Sequence, residues 1–279
     1  MKIFYSNMGG TKGLENYLDS PIDILISYYG LSKISKPPFC QDLFLDSGAF
    51  SAYKKKEVLD PVEYAKFIKQ YQKDIFIYAG LDVIGDPITT WKNQKVLESM
   101  ELNPLPCFHY KEPYKWLRRY VKKYDFIAIG GGAIISQDKT QLYQYLDECW
   151  NIIFSINPNL KVHGFGLQNE KLMKRYPWYS VDASSTHLIA RFGGIYTPWG
   201  SVKINPDVAP KDLAWATPGR LNIVKDWVNF QSLGFSFEEA QEGTTEGTLK
   251  RCVISIKYFS KEFTNFKCLR QGRIGFFNK

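Results

Sequence analysis

Three aspartates stand where short apolar runs end: Asp46 closes "LFLD", Asp82 closes "IFIYAGLD", and Asp182 lies in "YSVDAS". Carboxylates brought from three chain segments to one mouth suit work at a sugar carbon. There an oxocarbenium-like transition state needs negative charge on one face and proton traffic on the other. Two of the three histidines, His109 in "LPCFHY" and His163 in "KVHGFG", fall at comparable positions, as do the glycines of "IGGGA" 129–133 and the pair Gly164 and Gly166. Singly, an Asp after a strand commonly caps the next helix and a Gly commonly closes a turn. Jointly, three acids at three such ends exceed what capping requires. "IGGGA" is neither G-x-G-x-x-G with a ribose-binding acid nor a P-loop with its lysine, so it is read as backbone that a flat base can approach closely. No carboxylate or cysteine stands at ligand spacing beside His109 or His163. Both are therefore read as hydrogen-bonding or stacking groups, and no metal site is expected.

The elements that must position these residues follow from periodicity. Runs rich in β-branched and aromatic residues recur at 2–6, 23–29, 43–46, 75–82, 105–110, 126–131, 161–166 and 179–184. Between them, helical spacing predicts helices over 61–72, 89–100, 113–124, 140–153 and 168–176. Eight strands with intervening helices predict an α/β chain, a (β/α)8 TIM barrel whose C-terminal strand ends build the site. A doubly wound sheet gives the same alternation. After Ser184 the rhythm degrades through a Gly/Pro-rich stretch, a helical stretch and "LKRCVISIKYFSKEF", which reads as strand or helix. The whole of 1–279 is read as one domain, with a barrel core over about 1–200 and, over 201–279, last helices and a basic extension forming an appended C-terminal α/β layer.

The chain carries 36 Lys+Arg against 28 Asp+Glu, a formal charge of +8, and 16% aromatic residues interleaved with the basic clusters. That balance points to a polyanionic partner, nucleic acid, where rings stack on bases and cations neutralise phosphates. Five scattered cysteines without a C-x-x-C pair predict free thiols. No apolar run is long enough to cross a membrane and the N-terminus lacks a secretory layout, so a cytoplasmic protein is expected.

"LDSGAF" resembles the D-S-G-G-F/Y-Q motif of the tRNA-guanine transglycosylases and their relatives, the 7-deazaguanine DNA transglycosylases of phages and bacterial DNA-modification clusters. "GLD" ending at Asp82, "PCFHY…YDFIAIGGGA", and "VHGFG" followed by "YSVDASS" resemble further motifs of that family in the same order, over roughly residues 43–191. The resemblance implies Asp182 as covalent nucleophile and Asp46 as general acid/base. It implies Asp82, His109, Gly131 and Gly132 at the polar edge of a guanine, with Phe50 stacked on it and His163 on the opposite face. Arg191 stands at a distance similar to a nucleic-acid-reading Arg of the family, and Lys54, Lys55, Arg118 and Arg119 supply basic contacts.

The chain departs from the family at three places. The zinc ligands of the tRNA-type members are absent, His109 stands where those members have Gln, and only Arg191 remains of their Arg-bearing segment after the nucleophile. The favoured expectation is therefore exchange of guanine in DNA for a 7-deazaguanine such as preQ0 or a derivative, with no cofactor required and a homodimer allowed. The alternatives are the same exchange on tRNA, an N-glycoside hydrolase using the same carboxylates, and a non-catalytic nucleic-acid-binding subunit. The chemistry requires unlike acids: Asp182 ionised among donors, and Asp46 buried enough to exchange a proton.

Overall fold

The computed structural model describes residues 1–8, 11–135, 138–205, 218–264 and 266. The elements run in chain order β1 (Lys2–Ser6), β2 (Ile22–Ser27), β3 (Cys40–Asp46), α1 (Ala49–Lys55), α2 (Pro61–Tyr71), β4 (Ile77–Tyr78), α3 (Pro87–Ser99), β5 (Cys107–Phe108) and α4 (Lys115–Lys123). There follow β6 (Phe126–Ile129), α5 (Gly132–Ile135), α6 (Lys139–Ile156), β7 (Lys161–Gly164), α7 (Glu170–Arg175), β8 (Ser180–Ala183) and α8 (Ser185–Arg191). The chain continues through β9 (Gly194–Thr197), β10 (Gly200–Lys203), α9 (Pro218–Trp227), α10 (Phe230–Leu233), α11 (Phe237–Gln241) and α12 (Thr245–Phe263). All eight expected strands are present, several of them shorter than their apolar runs.

Strands β1 to β8 form one parallel sheet in the order β4-β3-β2-β1-β8-β7-β6-β5. Its two ends are not free. Ala79, just after β4, bridges Leu105, just before β5, and Leu105 N donates to Tyr78 O at 2.9 Å while Gly80 N donates to Leu105 O at 2.8 Å. The result is a curled parallel sheet flanked by helices, a TIM-like α/β fold. Helices start where the sequence supplies caps: Asp60 accepts from Val62 N at 2.7 Å ahead of Pro61, and Asp86 accepts from Thr89 N at 3.0 Å ahead of Pro87.

Side chains alternate across each strand with a period of two. Phe4, Leu25, Phe44, Ala79, Leu105, Cys107 and Ala128 fill the inside of the curl, while Ile3, Tyr5, Leu43, Leu45, Ile127 and Ile129 pack outward against the helices. Two residues beyond an inward apolar residue, the next inward position is Ser6, Ser27, Asp46, His109 or Gly130. The apolar inside thus gives way to a polar mouth one layer higher, at the C-terminal strand ends.

The segment read as strand or helix is α12. Its buried Leu249, Cys252, Val253, Ile256, Phe259 and Phe263 recur at helical spacing, and it packs on α8, β9 and α11. Arg251, with no exposed surface, donates to the carbonyls of Ala190 at 2.8 Å, Ala240 at 2.6 Å and Glu242 at 2.8 Å, tying α12 to the ends of α8 and α11. Helices α1 and α8 were not anticipated, since each is a seven-residue piece between a strand end and a turn. Cys40, Cys107, Cys149 and Cys252 are buried free thiols, as expected, whereas Cys268 and the basic end of the chain beyond Phe266 lie outside the described residues. Among the described residues no helix is long and apolar enough to cross a membrane.

Candidate active site

Asp182, on β8, is held by three donors. Its Oδ1 accepts from Gly166 N at 3.0 Å and lies 3.2 Å from His163 Nε2, and its Oδ2 accepts from Ser6 Oγ at 3.0 Å. These partners fix the carboxylate in position. Behind it, His163 Nδ1 lies 2.9 Å from Ser180 Oγ. With the Nε2 proton facing the carboxylate, Nδ1 accepts from the Ser180 hydroxyl, so a Ser180–His163–Asp182 chain fixes the orientation of the acid.

The expected stacking role of His163 is corrected. Its ring has no exposed surface and sits among Phe4, Phe44 and Phe165, with centroids at 6.1, 4.8 and 4.5 Å. A ring enclosed on all sides offers no face to a ligand; it braces Asp182 instead. Phe165, in the turn after β7, is the half-buried ring of this cluster, packed on His163 and Phe44. The sequence signal was available, since Phe165 follows His163 at the two-residue spacing of an inward strand face.

Asp46, at the end of β3, has a different environment. It accepts one backbone hydrogen bond, from Gly48 N at 3.1 Å. Burial pushes its carboxyl up to about 7, with the charges of Asp182 and Asp82 adding to the rise and Gly48 N and His109 opposing it. Gly48 has φ +76°, and a Cβ there would lie 2.3 Å from Tyr29 Cβ. Only glycine therefore lets the chain turn from β3 into α1 beside Asp46. Phe50, in the first turn of α1, is 38% exposed with Lys54 Nζ 4.3 Å above its ring, and Lys55 lies over Tyr29.

Asp82 and His109 meet across β4 and β5, with Asp82 Oδ2 2.9 Å from His109 Nε2. The backbone N of His109 donates to Glu112 Oε2 at 3.1 Å. Burial alone would lower the His109 pKa, but the charge and hydrogen bond of Asp82, with Glu112 and Asp46, outweigh it and raise the pKa. Burial pushes Glu112 up to about 7 against the pull of His109. Asp82 Oδ1, Glu112 Oε1, Ser27 Oγ, Ser47 Oγ and Gln168 Nε2 are buried without a hydrogen-bond partner, and all five belong to strand ends or the loops that follow them. Buried polar atoms are nearly always paired, so these five are available to a water or a ligand at the mouth.

The three mouth acids cap no regular helix other than the short turn at Gly48; among the described residues the aspartates that cap helices are Asp60, Asp86 and Asp138. The expectation that glycines clear room for a base is modified by their neighbours. A Cβ on Gly131 would meet Tyr110 Cβ at 2.6 Å and one on Gly132 would meet Leu167 Cδ2 at 2.5 Å, so loop packing already uses that space. What these two can offer a ligand is backbone. Of the basic residues, Lys54 and Lys55 lie on α1 at the rim. Arg118 and Arg119 are exposed on α4, with Arg119 stacked 4.5 Å from the Trp116 ring and 5.0 Å from Trp91, and Arg191 is exposed at the far end of α8. These three arginines belong to the outer helical layer, apart from the acids.

A comparison with models of known protein families and one with curated proteins each return no match. The chain is thus characterised by its own geometry: a TIM-like parallel α/β protein with two acids in unlike environments and an acid–histidine pair at the C-terminal mouth of its sheet.

Proposed function

We propose that the protein exchanges guanine in nucleic acid, DNA in preference to tRNA, for a 7-deazaguanine, on a (β/α)8 barrel closed at the Ala79–Leu105 bridge with β9–β10 and α9–α12 as an appended layer. The observation that carries this reading is the contrast between Asp182, whose oxygens face Ser6 Oγ, His163 Nε2 and Gly166 N, and Asp46, which accepts one backbone hydrogen bond and whose carboxyl is pushed up to about 7 by burial. Those are the demands on a nucleophile and on a proton shuttle.

A guanine extruded from its stack enters the mouth at a cost of a few kcal/mol. Asp82, with its unpaired Oδ1, and His109 meet the polar edge of the base, while Phe165 or Phe50 meets its face. Asp182 Oδ2 accepts one hydrogen bond against two at Oδ1 and so keeps a lone pair for attack on C1′. The C1′–O bond forms as the bond from C1′ to N9 breaks, and protonated Asp46 delivers its proton to the departing guanine. The incoming deazaguanine gives its N9 proton to Asp46 and attacks C1′, releasing Asp182. Arg191, Arg118 and Arg119 sit on the outer layer and would meet only the flanking strand, whereas Lys54 and Lys55 flank the mouth.

The test incubates the protein with labelled guanine and either duplex DNA or tRNA. Label in DNA supports the reading as stated, and label in tRNA alone transfers it to that substrate. Release of guanine with no incorporation identifies a hydrolase. Asp182→Asn should keep the fold and lose exchange; full activity in that variant would exclude Asp182 as nucleophile.

A further inference from the structure

Cys107, buried beneath the mouth, takes no part in the exchange chemistry above, yet its surroundings resemble a ligand set. Asp82, Cys107 and His109 each present a donor atom, and the three atoms lie within 4.8 Å of one another. The residues come together for topological reasons. The Ala79–Leu105 bridge fixes β4 against β5, and Leu105, Cys107 and His109 alternate onto the same inward face. Cys107 has no exposed surface, and the side chains of Asp82 and His109 are 6% and 11% exposed. One further observation points to an occupant. Asp82 Oδ1 is buried without a partner. Across the corner, Gly130 lacks the Cβ that would otherwise lie 2.7 Å from His109 Nδ1 and 3.0 Å from Cys107 Sγ, so both side chains pack against its bare backbone.

We propose that Asp82, Cys107 and His109 form a binding site for a thiophilic divalent cation of the Zn²⁺ type. A thiolate, an imidazole and a carboxylate are the donor classes zinc prefers, and three protein ligands with a fourth position toward the mouth is the arrangement of an open zinc site. Magnesium and calcium, which require oxygen ligands, are disfavoured by the sulfur. On binding, the Cys107 S–H bond breaks, its proton leaves to solvent, and the Sγ–metal bond forms, so uptake releases one proton from the thiol. Glu112 Oε2 accepts from the backbone N of His109 at 3.1 Å and so holds the main chain at this ligand. Because Asp82 and His109 are also the groups assigned to the base edge, the ion and the base exclude one another, and zinc acts as a competitor of the base.

Zinc uptake needs neither nucleic acid nor base, so its outcome is separate from whether the chain exchanges guanine. The chelator-treated full-length protein is titrated with Zn²⁺ by calorimetry and with Co²⁺ by absorption spectroscopy. The expected result is one ion per chain, with a thiolate-to-cobalt band in the near ultraviolet. Cys107→Ser should abolish that band and weaken zinc binding by at least the roughly 10–100-fold that loss of an outer partner costs. Cys149→Ser should keep both. Should Cys107→Ser fail to fold, Asp82→Asn, which preserves shape, should show the same loss of zinc affinity with near-ultraviolet circular dichroism unchanged. No stoichiometric uptake by the wild type, a cobalt band that survives in Cys107→Ser, or unchanged zinc affinity in Asp82→Asn overturns the proposal.

Discussion

Ser6 Oγ donates to Asp182 Oδ2 at 3.0 Å, joining the end of the first strand to the proposed nucleophile on the last strand of the sheet, 176 residues away. The pairing of β1 with β8, in which Phe4 lies opposite Asp182, makes this contact possible. A hydrogen bond to a charged group contributes about 1.5–3 kcal/mol. Ser6→Ala should therefore slow formation of the covalent intermediate by about 10- to 100-fold with the fold retained, and Ser6→Thr, which keeps the hydroxyl, should recover most of the rate. Single-turnover trapping of the protein–sugar adduct measures this. A Ser6→Ala rate equal to wild type would remove Ser6 from the site.

The reaction should carry the titration of Asp46. Its carboxyl is pushed up to about 7 by burial and by Asp182 and Asp82, and the leaving base needs the protonated form. The rate at limiting nucleic acid should be flat below that value and fall above it. Asp46→Asn should lose about 10²–10⁴-fold and abolish the limb. Glu112, raised to a similar value, is the control: a limb that moves in Glu112→Gln but not with Asp46 would reassign the proton shuttle.

Stability should fall as pH rises through the same window. Asp46 and Glu112 have folded-state values of about 7 against ordinary carboxyl values near 4, so the folded chain binds more protons than the unfolded chain between them. His109 has the same sign. Its raised pKa contributes stability that is fully present below the ordinary histidine value and is lost as pH rises through the folded value. Thermal denaturation should show a higher Tm at pH 5.5 than at pH 8, and the double variant Asp46→Asn, Glu112→Gln should flatten the difference.

Gly48→Ala should destabilise the chain and disturb Asp46 together. The left-handed backbone at φ +76° costs an alanine roughly 1–2 kcal/mol, and its Cβ would stand 2.3 Å from Tyr29 Cβ. Chemical denaturation should show a loss larger than the backbone cost alone. An unchanged midpoint would mean that the turn after β3 is built differently.

Arg251→Met keeps much of the side-chain volume but leaves the carbonyls of Ala240 and Glu242 without the guanidinium donor, while the carbonyl of Ala190 keeps Gly193 N at 3.1 Å. Each buried orphan costs about 1–3 kcal/mol, so Tm should fall on the order of 10 °C. The melting curve should stay a single transition, because one hydrophobic cluster runs from Ile3 to Phe263. Separate melting of α9–α12 would contradict that continuity.

The eight strands, the main helices between them and the placement of Asp46, Asp82, His109 and Asp182 at strand ends were legible in the sequence. Each depends on short-range pattern: β-branched runs, a period of two and helical spacing. The same period carried Phe165 and Cys107 to the inward face, though their partners were not legible. Tertiary structure alone decided that His163 lies enclosed among three phenylalanines, that Ser6 reaches Asp182, that Asp82 and His109 share a corner with Cys107, and that "LKRCVISIKYFSKEF" is a helix on α8 and β9. The reason is physical. Direction along a strand is set by neighbours in the chain, whereas desolvation, charge proximity and hydrogen-bond partners are set by strand register, which brings together residues far apart in sequence.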